Sequence, residues 1–417
     1  MRKLVLSTAL GLALVAQGAT AAVAEQSPQS KILAHQPVGA DITGSDSMDS
    51  TPRLEAGAHQ DRLPVTGEEQ ARYYKLPDIQ DGERLTVSGQ PIVDMMGEPT
   101  SRESMRLRAE LLDSQGRACA GNSNASISRS NSTPLPVLHL QTTAKDTYST
   151  CFSNEDDAVY LKLQRTGQWQ AQDEVPVELR VSVEPAVDPT SLSGVMPEQQ
   201  PPVSVSLSGE PSPVSGGSGF ATATELSAGT ISADSVLPYE VKYYKVHLSE
   251  GQRLSYRLSV QSSENASASG LATGTYSPLL APDVAGTSWD KLSREDVGAS
   301  VTRSTLSEVS RDLVDGYGGR FGLRVPGDYY IAVAGTANDP RGLNPLNYSL
   351  AVEVSGEAKN NGAWEPDIGE QGQALAAGDA GSSSWLPSGA QLGAFLGGAA
   401  VALAGFAGLW LLRRKRA

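Results

Sequence analysis

Apolar and polar residues alternate over many short segments of this chain, most clearly at 105–111 and 254–260. Alternation with a period of two is typical of β-strands that bury one face and expose the other. Turn-forming residues separate these segments, as in Asp113-Ser114-Gln115-Gly116. We therefore expect an all-β fold of antiparallel sandwiches. Segment 291–314 also fits a helical spacing of apolar residues, which allows a helical insertion there.

Two blocks of the chain, 53–185 and 218–356, present similar motifs in the same order. A shared order with near-constant spacing is the signature of a duplicated domain. The matched segments are the Tyr-Tyr-Lys strands (73–75 and 243–245), the Gly-x-Arg-Leu turns (82–85 and 251–254) and the closing strands (159–163 and 329–333).

Each block resembles the bacterial pre-peptidase C-terminal domain, a small β-sandwich or jelly roll that is often joined to secreted enzymes. The resemblance is carried by the Tyr-Tyr-Lys strands, the hairpin at 111–116, and the strand at 327–331 with the later segment 347–350. The order of segments is also similar to that of actinobacterial membrane-anchored surface proteins. The resemblance implies two sandwich domains with a binding role.

The two ends of the chain carry signals for export and for membrane insertion. Residues 1–24 combine a basic start, a short apolar run and a final Ala-Val-Ala, which predicts a cleaved signal peptide. Leu392 to Leu412 is a run of 21 residues without a charge, followed by the basic cluster 413–416. As a helix this run would cover about 30 Å, the thickness of a hydrocarbon core. We expect a transmembrane helix within 388–412, a cytoplasmic tail at 413–417 and the N-terminal bulk outside.

A second interpretation of the C-terminal end is attachment to the cell wall. Leu386-Pro387-Ser388-Gly389, the apolar run and the basic tail resemble the sorting signal of sortase-anchored wall proteins. That signal has Thr before the Gly, whereas this chain has Ser. We therefore favour membrane retention and keep wall anchoring as the alternative.

Three segments have the composition of connectors. Residues 25–52 are polar with little periodicity and are interpreted as a flexible lead-in. Residues 186–217 are rich in Pro and Ser, which predicts a semi-extended linker between the blocks. Residues 357–387 are rich in Gly, Ser and Ala and are interpreted as a stalk.

The net charge argues against one class of ligand, and the two cysteines predict a disulfide. The chain has 417 residues and a net charge of −14; without the basic residues of the signal and the tail it is about −20. Such a charge repels phosphate backbones, so we expect no nucleic-acid ligand. Cys119 and Cys151 are the only cysteines, and outside the cytoplasm we expect them to form a disulfide.

Few residues suggest chemistry, and we predict no catalytic residue and no required cofactor. The four histidines lack metal-ligand spacing, and no Gly-x-Ser-x-Gly elbow precedes a helix. Glu155, Asp156 and Asp157 could offer oxygen ligands to calcium. Tyr74 and Tyr244 could stack on sugars, although packing in a sandwich core is the simpler role for such tyrosines.

Three functions remain open on the sequence alone. The first is a membrane-anchored interaction or scaffold protein with a protein partner in the cell envelope. The second is a wall- or carbohydrate-binding protein, for which Trp169 or Trp289 would report bound glycan. The third is a hydrolase with an unrecognised site.

Overall fold

The computed structural model describes residues 35, 37–65, 70–93, 104–128, 137–143, 150–152, 158–186, 200–261, 265–282, 284–285, 290–311, 313, 320–336 and 344–359. The predicted signal peptide, transmembrane helix and cytoplasmic tail lie outside these residues. Within them, no helix has the length and apolar character needed to cross a membrane.

The first block forms nine strands in two sheets. The strands are β1 (Ala40–Asp41), β2 (Gly57–Leu63), β3 (Ala71–Lys75), β4 (Arg84–Pro91), β5 (Ser104–Leu112), β6 (Ala118–Ser128), β7 (Leu138–Thr143), β8 (Tyr160–Gly167) and β9 (Val175–Glu184). Sheet A has the order β1-β2-β9-β4-β7, and sheet B has the order β3-β8-β5-β6. All pairings are antiparallel except the parallel contact of β1 with β2.

The second block repeats this plan with ten strands. They are β10 (Ser212–Pro213), β11 (Thr224–Glu225), β12 (Thr230–Val236), β13 (Val241–Leu248), β14 (Arg253–Val260), β15 (Gly270–Tyr276), β16 (Asp290–Ser293), β17 (Ser300–Ser304), β18 (Gly327–Thr336) and β19 (Leu346–Ser355). Sheet C has the order β10-β12-β19-β14-β17, and sheet D has the order β11-β13-β18-β15-β16. Short 3-10 helices occur at Met48–Ser50 and Arg320–Arg324.

Each block has its own hydrophobic core, built from the inward side chains of both of its sheets. In the first block Val87 of sheet A and Leu161 of sheet B belong to one buried cluster. In the second block Leu258 of sheet C and Ile331 of sheet D do the same. The alternating segment 105–111 follows its predicted pattern, with its apolar residues buried and Arg106 and Arg108 exposed. The all-β, mainly antiparallel fold is confirmed.

The duplication extends to the pairing register of the strands. Lys75 pairs with Tyr160 across β3 and β8, and Lys245 pairs with Tyr330 across β13 and β18. The predicted turn at 113–116 also forms, with a 2.9 Å hydrogen bond from the amide of Gly116 to the carbonyl of Asp113.

The connectors differ from the composition-based interpretation. Residues 37–52 of the lead-in lie against the first block: β1 pairs with β2, and Ser45 exchanges two backbone hydrogen bonds with Tyr73. Residues 200–217 of the linker lie against the second block, where Arg257 Nη1 donates to the carbonyl of Val205 at 2.8 Å. Two-residue strands carry no periodicity, so composition alone could not distinguish them from free connectors.

The helical interpretation of 291–314 is wrong for the described part of that segment. It contains β16 and β17, and β17 pairs with β14. Leu306, Val309 and Leu313 are buried, but they lie in irregular backbone after β17. The run of residues at 300–304 includes β-branched Val and Thr, which favour a strand at this sheet edge.

The predicted disulfide is confirmed. Cys119 in β6 and Cys151 are bonded, with their Cα atoms 4.7 Å apart and 32 positions apart in sequence. The bond ties sheet B to the segment that precedes β8.

Candidate functional site

Tyr74 and Tyr244, the predicted sugar-stacking residues, lie in the cores and present no ring face to solvent. Both are 0% exposed. Tyr74 donates its hydroxyl to Asp61 Oδ2 at 2.6 Å, and Tyr244 donates to Asp234 Oδ2 at 2.6 Å. Burial and the adjacent carboxylate raise the pKa of both tyrosines.

A glycine completes this arrangement in each block. We call the three residues the Tyr-Asp clasp: Gly44, Asp61 and Tyr74 in the first block, and Gly216, Asp234 and Tyr244 in the second. The amides of Gly44 and Gly216 each donate to the same aspartate oxygen at 2.8 Å. A Cβ at Gly44 would lie 2.7 Å from the ring of Tyr74. Because the backbone passes so close to the ring, only glycine fits. The clasp holds the segment that contains Gly44 or Gly216 against the core of its block.

The remaining predicted site residues offer no described binding surface. Trp169 is 2% exposed and belongs to the first core. Trp289 and the calcium candidates Glu155, Asp156 and Asp157 lie outside the described residues. Within the part of the chain that the structure describes, no group of His, Cys, Asp and Glu side chains could hold a metal ion.

An aromatic cluster of the second block packs toward the first block, and the motifs that the two blocks share do not predict it. Phe220 is 3% exposed and its ring centroid lies 4.7, 5.0 and 5.1 Å from those of Tyr243, Tyr276 and Tyr330. Val137 of the first block belongs to the same buried cluster. These residues lie on the outer face of sheet D, which packs on the outer face of sheet A.

Hydrogen bonds cross between the blocks around this cluster. Gln90 of β4 donates to the Tyr243 hydroxyl at 2.8 Å. Ser88 donates to the carbonyl of Leu279 at 2.7 Å, and Arg180 donates to the carbonyl of Pro278 at 3.1 Å. We call the aromatic cluster and these hydrogen bonds the seam. Gln90 and Ser88 are each 1% exposed, so the seam has excluded most water.

Two histidines also lie at the seam. His35, placed by composition in a flexible segment, lies 2.8 Å from the carbonyl of Ser218 and 3.1 Å from Glu178. Burial lowers its pKa, but the contacts with Glu178 and Ser218 outweigh burial and raise it. His139 is partly buried beside Ser88, with its Nδ1 3.0 Å from the Ser88 hydroxyl, and burial lowers its pKa to about 4.

A small cleft remains open along the seam. The volume open to the centres of water-sized molecules is about 20 Å³, and the lining includes Ser88, Gln90, Glu178, Phe220 and Leu280. Gln90 Oε1 is buried and accepts no hydrogen bond from the described residues. A water molecule or another small hydrogen-bond donor would satisfy it.

A charged group lies on the outer face of sheet D, where His247 is exposed and Lys245 and Asp328 are largely buried. His247 Nδ1 lies 3.2 Å from Asp328 Oδ1, and Lys245 Nζ lies 2.8 Å from Asp328 Oδ2. The contact with Asp328 raises the pKa of His247 despite partial burial. Burial opposes ionisation of Asp328, but its two cationic neighbours hold the pKa of its carboxyl below the usual range. This arrangement neutralises a carboxylate on the surface of sheet D.

The signal that could have revealed the seam is the loss of alternation in the second block. In β18 the segment Tyr330-Ile331-Ala332-Val333-Ala334 is apolar at every position, and all five residues are buried. A strand of this kind is covered on both faces. In β8 of the first block, by contrast, apolar and polar residues alternate.

Comparison with known proteins yields only distant likenesses. No protein-family model and no curated protein matches the chain. The CBM22-1-CBM22-2 tandem domain of Paenibacillus barcinonensis Xyn10C is 9% identical, with a TM-score of 0.18 over 72% of this chain and 86% of that one. The structure of Broad Bean Stain Virus is 8% identical, with a TM-score of 0.19 over 76% of this chain and 96% of that one. Likenesses this weak carry no functional argument, and the pre-peptidase C-terminal resemblance rests on its motifs.

Proposed function

We propose that this chain is a membrane-anchored, extracytoplasmic interaction or scaffold protein. In this account two non-catalytic β-sandwich domains of the pre-peptidase C-terminal type follow a signal peptide. A stalk and a transmembrane helix within 388–412 then hold them at the membrane, with a protein partner in the cell envelope.

The observation that carries the proposal is the seam. Domains that only share a flexible linker keep no fixed relative orientation. Here aromatic side chains and crossing hydrogen bonds hold the two blocks together, with Phe220 and Tyr243 buried between them. A fixed pair of sheets presents a large surface of constant shape, which is what an interaction platform requires.

The alternative is a cell-wall or carbohydrate-binding surface protein. Aromatic rings that bind sugars must be accessible, and Tyr74, Tyr244 and Trp169 are buried. The alternative therefore depends on other aromatic residues, such as the partly exposed Tyr73 and Tyr160 or Trp289. No described observation favours the second alternative, a hydrolase.

The test is cross-linking of the full-length protein on intact cells, followed by mass spectrometry. We expect one reproducible protein partner that is recovered from the wild type and lost when Phe220→Ala loosens the seam. Val297→Ala is the matched control, because Val297 is 60% exposed and lies outside the seam; it should keep the partner.

The competing functions predict different results. Recovery of glycan fragments alone would replace the scaffold proposal with wall binding. Turnover of a substrate by the purified chain, abolished by a single acidic substitution, would replace it with the hydrolase.

A further inference from the structure

One sheet face is covered by the other block in the second block, whereas its counterpart in the first block is not covered by any described residue. In the second block the outer face of sheet D is covered by the first block at the seam. Its counterpart in the first block is the outer face of sheet B, where Tyr73 and Tyr160 are partly exposed. The duplication therefore leaves one copy of a docking face without a described occupant.

The pairing register identifies the corresponding positions. Tyr73 pairs with Lys162 in the first block, and Tyr243 pairs with Ala332 in the second. The next strand continues the match. The corresponding pairs are Tyr73 and Tyr243, Tyr160 and Tyr330, Lys162 and Ala332, Glu110 and Gly274, Arg108 and Ala272, and Arg106 and Gly270.

The tyrosines are kept, and so is one lysine (Lys75 corresponds to Lys245), but the four small residues of sheet D are replaced by charged ones on sheet B. We call this surface the basic face; its residues are Tyr73, Lys75, Arg106, Arg108, Tyr160 and Lys162, with Glu110 among them. Arg108 is 48% exposed and Lys162 is 28% exposed at the side chain, and both contact Glu110. Lys75 and Arg106 form no ion pair with the described residues.

Among the described residues this face has four cations and one carboxylate, whereas the chain as a whole has a net charge of −14. A cluster of positive charges on an otherwise acidic protein attracts a negatively charged partner and orients it during the encounter. The partner should therefore be acidic.

A second copy of this chain does not fit this requirement. The surface equivalent to the partner face at the seam is the outer face of sheet C, and it carries Arg253 and Arg257. Residues 200–207 already lie across it, held by both arginines. Because residues 200–207 occupy that face, a second copy cannot repeat the seam through it.

We propose that the basic face is the docking surface for a separate protein that presents an acidic sheet face. The docking repeats the geometry of the seam, with Tyr73 and Tyr160 in the positions that Tyr243 and Tyr330 occupy there. This inference rests on the proposed interaction function and assigns it a surface and a partner chemistry.

The test places a photoreactive phenylalanine at position 73 or, separately, at position 302, in the full-length protein on intact cells. Thr302 lies in β17, on sheet C. We expect irradiation to give a protein adduct from position 73 that is absent from position 302, with the cross-linked partner peptide rich in Asp and Glu. The charge-reversed variant Lys75→Glu/Arg106→Glu should reduce the adduct roughly tenfold or more.

The control reversal is Arg62→Glu/Lys291→Glu, which changes the net charge equally at exposed positions on sheets A and D. It should leave the adduct unchanged, and thermal melting should show that both reversed variants remain folded. An adduct that survives reversal of the basic face, or one made only of glycan, would overturn the inference. A partner captured only at position 302 would also overturn it while leaving the proposed interaction function intact, and no adduct at either position would contradict both.

Discussion

Removing the Phe220 ring should uncouple the two blocks. The ring is 3% exposed and contacts three tyrosines with centroid distances of 4.7 to 5.1 Å. Replacing a buried Phe by Ala typically costs about 3–5 kcal/mol, and each aromatic pair contributes about 0.5–1.5 kcal/mol beyond burial. Phe220 and the three tyrosines all belong to the second block, so the lost ring pairs weaken that block. The lost burial beside Val137 and the other first-block residues at the seam is the part that weakens the coupling between the blocks.

Scanning calorimetry of the purified chain measures this coupling. We expect the wild type to unfold in one cooperative transition and Phe220→Ala to unfold in two, because each block retains its own core. Phe152→Ala is the matched control, since Phe152 packs on the first core; it should lower stability without splitting the transition. A single, unshifted transition in Phe220→Ala would refute the reasoning.

Three further predictions follow from particular contacts. Asp234→Asn should cost about 1.5–3 kcal/mol in urea unfolding, because the buried tyrosine loses a charged acceptor, whereas Asp296→Asn on the surface should change stability by less than about 0.5 kcal/mol. Replacing Cys119 and Cys151 together by Ser should cost about 3–4 kcal/mol by the loop-entropy model; a loss below about 1 kcal/mol would contradict that role. Burial lowers the pKa of His139 to about 4, so on acidification the unfolded chain takes up a proton at this residue before the folded chain does. The stability contributed by neutral His139 is therefore complete above about pH 6.5 and is lost as the pH falls toward 4. Denaturant titrations at pH 7 and pH 5 should therefore show that His139→Asn reduces the acid-induced loss of stability by about 1–2 kcal/mol; equal losses in both proteins would exclude this effect.

The strands and the duplication could be predicted because each depends on local pattern. Alternation at 105–111 and 254–260 decides which side chains face a core, and the repeated Tyr-Tyr-Lys motif determines the register of β3 and β13. The disulfide could be predicted because the chain has two cysteines, which allow one pairing. These features need no knowledge of how distant surfaces meet.

The seam and the clasps could not be predicted because they depend on surfaces that come together only in the folded chain. Tyr73 and Tyr243 occupy equivalent positions, yet only Tyr243 is fully buried, since the other block covers it. The clasp glycines lie in segments whose composition is typical of free connectors. The helix interpretation of 291–314 failed because buried apolar residues in irregular backbone can by chance have the spacing of a helix.

The central claim is that the seam holds the two blocks in one fixed arrangement. Spin labels can be attached at the exposed positions Arg62→Cys in β2 and Lys291→Cys in β16. Double electron–electron resonance on the labelled full-length protein would then measure the distance between the blocks. We predict one narrow distance distribution in the wild-type background and a broad one when Phe220→Ala is added. A broad distribution with an intact Phe220 would contradict the claim.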